Sequence, residues 1–159
     1  MKQTETTNTV VRTQLLPLTD MSLVLPNTCI AEVINMQAIE PIKKSAKWLL
    51  GMTSWRGIHV PVISFETANN VATDELSKNT RIAVLNSLSG DKDIPFYGVI
   101  IQGIPKLLSL QMSDVDPIKK PDVKLPIAQQ QAMIDDIATV IPDQEKIEKM
   151  LIKEGIKIS

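Results

Sequence analysis

The chain is poor in the residues from which cross-links and active sites are built. Of its 159 residues one is cysteine, one is histidine, six are glycine and five are aromatic (two Trp, two Phe, one Tyr). The single cysteine, Cys29, excludes an intramolecular disulfide and any zinc site made of several thiolates. It reads as a small buried hydrophobe, and no neighbouring positive charge is there to lower its thiol pKa. His59 would have to serve any Ser–His or Cys–His arrangement, yet it stands mid-strand between Ile58 and Val60 with no partner placed beside it. The scattered glycines form no phosphate-cradling loop. The carboxylate pairs Asp91/Asp93, Asp114/Asp116 and Asp135/Asp136 all occupy turn positions, where Asp bonds nearby backbone. No catalytic residue, cofactor site or metal site is expected, and the chain does not read as an enzyme.

Charge of one sign is missing too. Seventeen basic and 18 acidic residues leave a net charge of −1, so no electrostatic field points to nucleic acid. The basic stretch holding Lys43, Lys44 and Lys47 is short and lies outside any amphipathic helix, which makes it a solvated connection rather than a membrane patch. No apolar run approaches the roughly 20 residues needed to span a bilayer. The polar, Thr-rich Met1–Thr9 lacks the apolar core of a signal peptide. A cytoplasmic, soluble protein without membrane insertion is the expectation.

What is present is a dense series of short apolar runs, in a chain that is 43% apolar. With so few aromatics, Ile, Leu, Val and Met must fill the core, and the two tryptophans become candidates for special packing positions. Residues 1–12 read as a disordered lead-in and 13–155 as a single domain. Gln14–Leu18 and Ser22–Leu25 flank Thr19 and Asp20 as a hairpin. After Pro26, either a helical turn capped by Asn27 or Thr28 and running through Ala31–Val33, or a strand over Ile30–Asn35, fits the pattern. Lys47–Trp55 and Ile58–Phe65 flank the two-residue link Arg56–Gly57, the clearest hairpin in the chain. Pro61 cannot donate a ladder hydrogen bond, so its side of the strand is expected to be an edge or a bulge. Thr67–Lys78 is a polar loop with room for one helical turn. Arg81–Leu88, Phe96–Ile101 and Lys106–Leu110 are further strands, and Ser113–Pro126 reads as an exposed loop. A second hairpin, Gln129–Ile134 with Ile137–Ile141, turns at Asp135 and Asp136. Asp143 can cap a final helix with Ile147, Met150 and Leu151 on one face, stopped by Gly155. Eight to ten short strands and one C-terminal helix predict an all-β architecture of one or two barrels, and the two hairpins hint at a duplicated unit.

Residues 48–63 (WLLGMTSWRGIHVPVI) resemble the signature of CheW-like domains, whose members show an lLGvxxxRGxxvPVidl run. Leu23–Pro26 with Ile30–Ile34 resembles that family's lPxxxvxEVi element, and Tyr97–Ile101 its yGllvd strand. The resemblance implies two SH3-like five-stranded β-barrels sharing one hydrophobic core. It also implies a non-catalytic adaptor that couples the cytoplasmic tip of a methyl-accepting chemoreceptor to the regulatory domain of a CheA-type histidine kinase. The family's glutamate and arginine near the partner surface map onto Glu32 and Arg56, with Gly57 completing the turn. Ile30 and Val33 are then candidates for the groove that takes receptor helices, and Val99 for its opposite wall. The divergent ending, with the Ser113–Pro126 segment and a longer charged helix, looks more like accessory CheW-like proteins of type IV pilus (twitching) systems. From another class, a stand-alone SH3-like peptide- or nucleic-acid-binding module would need an aromatic groove or a basic face, which five aromatics and balanced charge do not supply.

Overall fold

The computed structural model describes residues 9–156. Eleven strands run β1 (Val11–Pro17), β2 (Ser22–Pro26), β3 (Ile30–Asn35), β4 (Leu49–Trp55), β5 (Ile58–Ile63), β6 (Arg81–Asn86), β7 (Phe96–Ile101), β8 (Lys106–Leu110), β9 (Asp116–Pro117), β10 (Ala128–Ile134) and β11 (Ile137–Pro142). A single-turn helix α1 (Phe65–Ala68) and the terminal helix α2 (Gln144–Lys153) complete the secondary structure, with 3₁₀ turns at Asn27–Cys29 and Met112–Asp114.

The strands form two barrel-like sheets. The central one has the order β3-β6-β7-β5-β4, and the terminal one β8-β1-β2-β11-β10-β9. Apart from the two-residue β9, the two sheets share one topology. In each, an antiparallel edge strand and hairpin (β3-β6-β7, β8-β1-β2) meets a second hairpin (β5-β4, β11-β10) through a parallel pair. Those parallel pairs are Val62 with Gly98 and Val140 with Leu23. The correspondence is permuted along the chain, because β1 and β2 occupy the places in the terminal sheet that β6 and β7 occupy in the central one. Both second hairpins use two-residue turns with positive φ at both positions: Arg56 (49°) with Gly57 (80°), and Asp135 (48°) with Asp136 (63°). That geometry matches the right-handed twist of the flanking strands. Both also carry a bulge near the start of the first strand, at Leu49/Gly51 and at Ala128/Gln130. The hint of duplication in the sequence has this physical form.

Strands β2, β5, β6 and β7 are buried on both faces, which is why their apolar runs are nearly continuous, whereas β4 alternates between buried and more open positions. Ala83 and Leu85 of β6 pack into a main core between the sheets, while Ile82 and Val84 point to the interior of the central sheet. The main core draws Leu16, Leu23 and Val140 from the terminal sheet and Leu49, Ile63 and Val99 from the central one, together with Ile147 and Leu151 of α2. The central sheet closes on itself where the chain beyond β3 returns to β4. Glu40 N–H donates to the Met52 carbonyl at 2.8 Å, and Met52 N–H to the Glu40 carbonyl at 2.9 Å.

Helix α2 is held at both ends by the residues the sequence assigns to it. Asp143 accepts from Lys146 N–H at 3.1 Å. At the far end Gly155 takes φ 78°, and the Gly155 and Ile156 amides donate to the Ile152 and Leu151 carbonyls, a Schellman closure. In between, the buried Glu148 carboxylate takes the Ser87 hydroxyl and the Leu88 and Ser89 amides, each at 2.8 Å, and so ties α2 to the β6–β7 connection.

Several expectations change. β1 begins at Val11, where Val11 pairs with Leu110 and Arg12 with Ser109, so the ordered domain starts inside the stretch assigned to a lead-in. Residues 1–8 of that stretch lie outside the described residues. At the other end Ile156, one residue past the expected boundary, is buried in the main core. After Pro26 the strand prevails over the helical turn, because a 3₁₀ turn spends only Asn27–Cys29 and leaves Ile30 onward to pair with β6. Pro61 lies on an interior strand, not an edge. It stands opposite Met52, one residue before the parallel ladder to β7 begins at Val62, so its missing N–H falls where that ladder has not started. The Ser113–Pro126 segment is more than an exposed loop: β9 pairs with β10, and Leu125 is buried in the main core.

Candidate functional site

The β4–β5 hairpin carries Arg56 at its tip, beyond the sheet, and a bulge in β3 brings Glu32 up to meet it. That bulge lies between Ile30 and Glu32 and shifts the alternation by one residue. As a result Ile30 and Val33, three apart, both pack against the main core, and Ala31 and Ile34 both pack into the central sheet's interior. Glu32 turns toward β4 and accepts two hydrogen bonds on one oxygen. The Trp55 indole N–H donates to Glu32 Oε1 at 2.9 Å, and Arg56 Nη2 donates to the same atom at 3.2 Å.

Phe96, Arg56 and Glu32 are therefore grouped around the buried indole of Trp55. Phe96 sits edge-on to Trp55, with ring centroids 4.9 Å apart and planes at 65°. Trp55 is 7% exposed, and its outer face lies under the Arg56 guanidinium, 4.9 Å from the ring centroid. The Arg56 and Glu32 side chains remain 68% and 42% exposed. A pair this open contributes roughly 0–1 kcal/mol to stability, so it orients more than it stabilises. Gly57, with φ 80° and no atom within 4 Å of where a Cβ would stand, gives the tip its turn without packing against anything.

The structure thus brings Glu32, Arg56 and Gly57 together, with Ile30 and Val33 half-buried on the same strand as Glu32. It does not bring Val99 to that surface. Val33, Ala83, Val99 and Ile63 form one row across the central sheet, all facing the main core. Val33 ends the row at the sheet edge, whereas Val99 lies two strands inward and is 1% exposed, so it is floor rather than wall. Trp55 and Phe96 were missing from the expected site. Their signal was faint: Trp55 could be singled out only as one of two tryptophans in an aromatic-poor chain.

The residues weighed for chemistry stay apart. His59 is exposed on β5 opposite Ser54. Cys29 packs half-buried against the main core, and burial pushes its thiol above the ordinary cysteine value, away from a thiolate at neutral pH. Among the described residues no group of three or more His, Cys, Asp or Glu is disposed to hold a metal ion. No described helix is long and apolar enough to cross a membrane. An apolar cleft of about 280 Å³ opens in the terminal sheet between Val11, Val24, Leu110, Met112, Ile134 and Ile141, and none of the expected site residues lines it.

Comparison with known proteins adds two positive findings. A family model described as the CheW-like domain matches residues 13–149. Among solved structures, the crystal structure of the scaffolding protein TtCheW from Thermoanaerobacter tengcongensis is similar, with a TM-score of 0.71 at 18% sequence identity over 84% of each chain. At that identity the likeness speaks to the fold. No curated protein matches the chain.

Proposed function

The chain belongs to the CheW-like domain family, and from that premise we propose that it is a non-catalytic adaptor of a chemosensory system. It works in the cytoplasm, coupling the tip of a chemoreceptor to the regulatory domain of a CheA-type histidine kinase. The observation that carries this reading is the Glu32–Arg56 pair, set on the rim of the central sheet with Ile30 and Val33 beside it. Interfaces of this kind place modest apolar area next to a few charges, and the charges set partner and register more than affinity. A lone exposed ion pair with little effect on folding is what such a role needs.

The test is binding of the purified chain to a CheA-type regulatory domain and to a receptor tip, measured by calorimetry. Arg56→Glu reverses the charge at the rim and places it against Glu32. It is expected to weaken binding by at least about tenfold while the melting temperature stays within a few degrees. Absence of wild-type affinity for both partners would overturn the proposal.

A further inference from the structure

The geometry points to Trp55 as a positioning residue for the Glu32–Arg56 pair, an inference that rests on the adaptor reading for its consequence in binding. Arg56 sits at a hairpin tip, largely in solvent, and Glu32 on a bulged edge strand, about half-exposed. Long side chains so placed ordinarily sample many rotamers, and an exposed ion pair gains too little to hold them. Here both are tied to one rigid group. The Trp55 indole is enclosed within the central sheet, where Val60, Val62, Ile82, Val84 and Ile100 belong to the same cluster and Phe96 braces the ring edge-on.

From that fixed position the indole acts in two directions. Its N–H fixes Glu32 Oε1 at 2.9 Å, and its face supports the guanidinium carbon of Arg56 at 4.9 Å. Glu32 Oε2 and the remaining guanidinium donors have no partner among the described residues. The pair is thus presented to a partner in one arrangement, and less rotamer freedom is lost on docking. A phenylalanine or leucine would fill much of the same interior space, but neither carries the N–H that reaches Glu32. The competing account is that the buried indole needs an acceptor and Glu32 merely provides it, with no effect on presentation.

A double-mutant cycle in the full chain separates the two accounts. Trp55→Phe, Glu32→Ala and the double variant are titrated with the kinase regulatory domain. Trp55→Phe is expected to weaken binding roughly fivefold in the wild-type background and by less than about 1.5-fold when Glu32 is already alanine. Equal losses in both backgrounds, or no loss in the first, would overturn the inference. A second measurement needs neither the partner nor the Trp55 variant. Solvent exchange of the Trp55 indole proton, followed by NMR, is expected to quicken at least about tenfold in Glu32→Ala, because the bond that protects it is gone. Unchanged exchange would show that the indole does not hold Glu32, and the positioning role would fall with it. If the wild-type chain binds neither partner, the adaptor reading fails, while the exchange measurement still decides what Trp55 does to Glu32.

Discussion

Tyr97 shows how one side chain can couple a sheet to a helix and make the coupling sensitive to pH. It stands in β7, fully buried, and its phenol oxygen accepts a hydrogen bond from Gln144 Nε2 of α2 at 2.8 Å. Burial raises its pKa well above the usual tyrosine value, and the neighbouring Glu148 charge adds to the rise, outweighing the opposite effect of the Gln144 bond. The folded chain therefore keeps the phenol protonated where the unfolded chain, with its pKa near 10, would release the proton. The contribution is whole below about pH 10 and is lost as pH climbs from there toward the folded value. Urea unfolding between pH 8 and 11 is expected to show a steeper alkaline loss in wild type than in Tyr97→Phe, a comparison in which the titrating lysines cancel. At pH 7 the same substitution strands the buried Gln144 amide and is expected to cost about 1–2 kcal/mol. Identical alkaline slopes in the two proteins would refute the assignment.

At the scale of elements, the β4–β5 hairpin contains two glycines needed for different reasons. Gly51 has φ 144°, and a Cβ there would fall on the carbonyl oxygen of Glu40, the group that closes the central sheet. Gly57 has φ 80° and open space around it, so only its backbone conformation resists a side chain. Gly51→Ala is expected to cost about 2–4 kcal/mol, since it combines strain with a broken closure, and Gly57→Ala about 1–2 kcal/mol. Thermal melts of the two variants give the order, and a Gly57→Ala as damaging as Gly51→Ala would contradict it. The contrast also marks what could be read before folding. Arg56–Gly57 and Asp135–Asp136 were legible as turns because two residues between apolar runs already contain the geometry. The need for Gly51 was not legible, because the oxygen it avoids belongs to Glu40, eleven positions away across a closure that no local pattern announces. The same limit hid the bond from Trp55 to Glu32, and it made Val99 a candidate for a groove wall as readily as for the core, although it sits mid-sheet and is buried. Strand existence follows from alternation, whereas neighbours across the sheet follow from long-range pairing.

The permuted arrangement makes the whole molecule one cooperative body. The terminal sheet takes β1 and β2 from the start of the chain and β8 to β11 from its end, so its assembly closes a loop that contains every central strand. Each sheet has a small inner cluster of its own, but the main core draws side chains from both sheets and from α2 and is the larger of the three. A defect made in one sheet should therefore be felt fully in the other. Leu23, in β2 of the terminal sheet, is completely buried in the shared core, and Leu23→Ala is expected to cost about 2–5 kcal/mol. Fluorescence reports from Trp55 inside the central sheet and from Trp48, which leads into β4 and packs against the main core, while far-UV circular dichroism reports on both sheets. In urea the two signals are expected to move together in wild type, and to shift to lower denaturant by the same amount in Leu23→Ala, as a two-state transition requires. A fluorescence midpoint that stays in place while the dichroism splits into two steps would mean that the sheets unfold separately. The shared core would then be an interface between two independent units, not the centre of a single one.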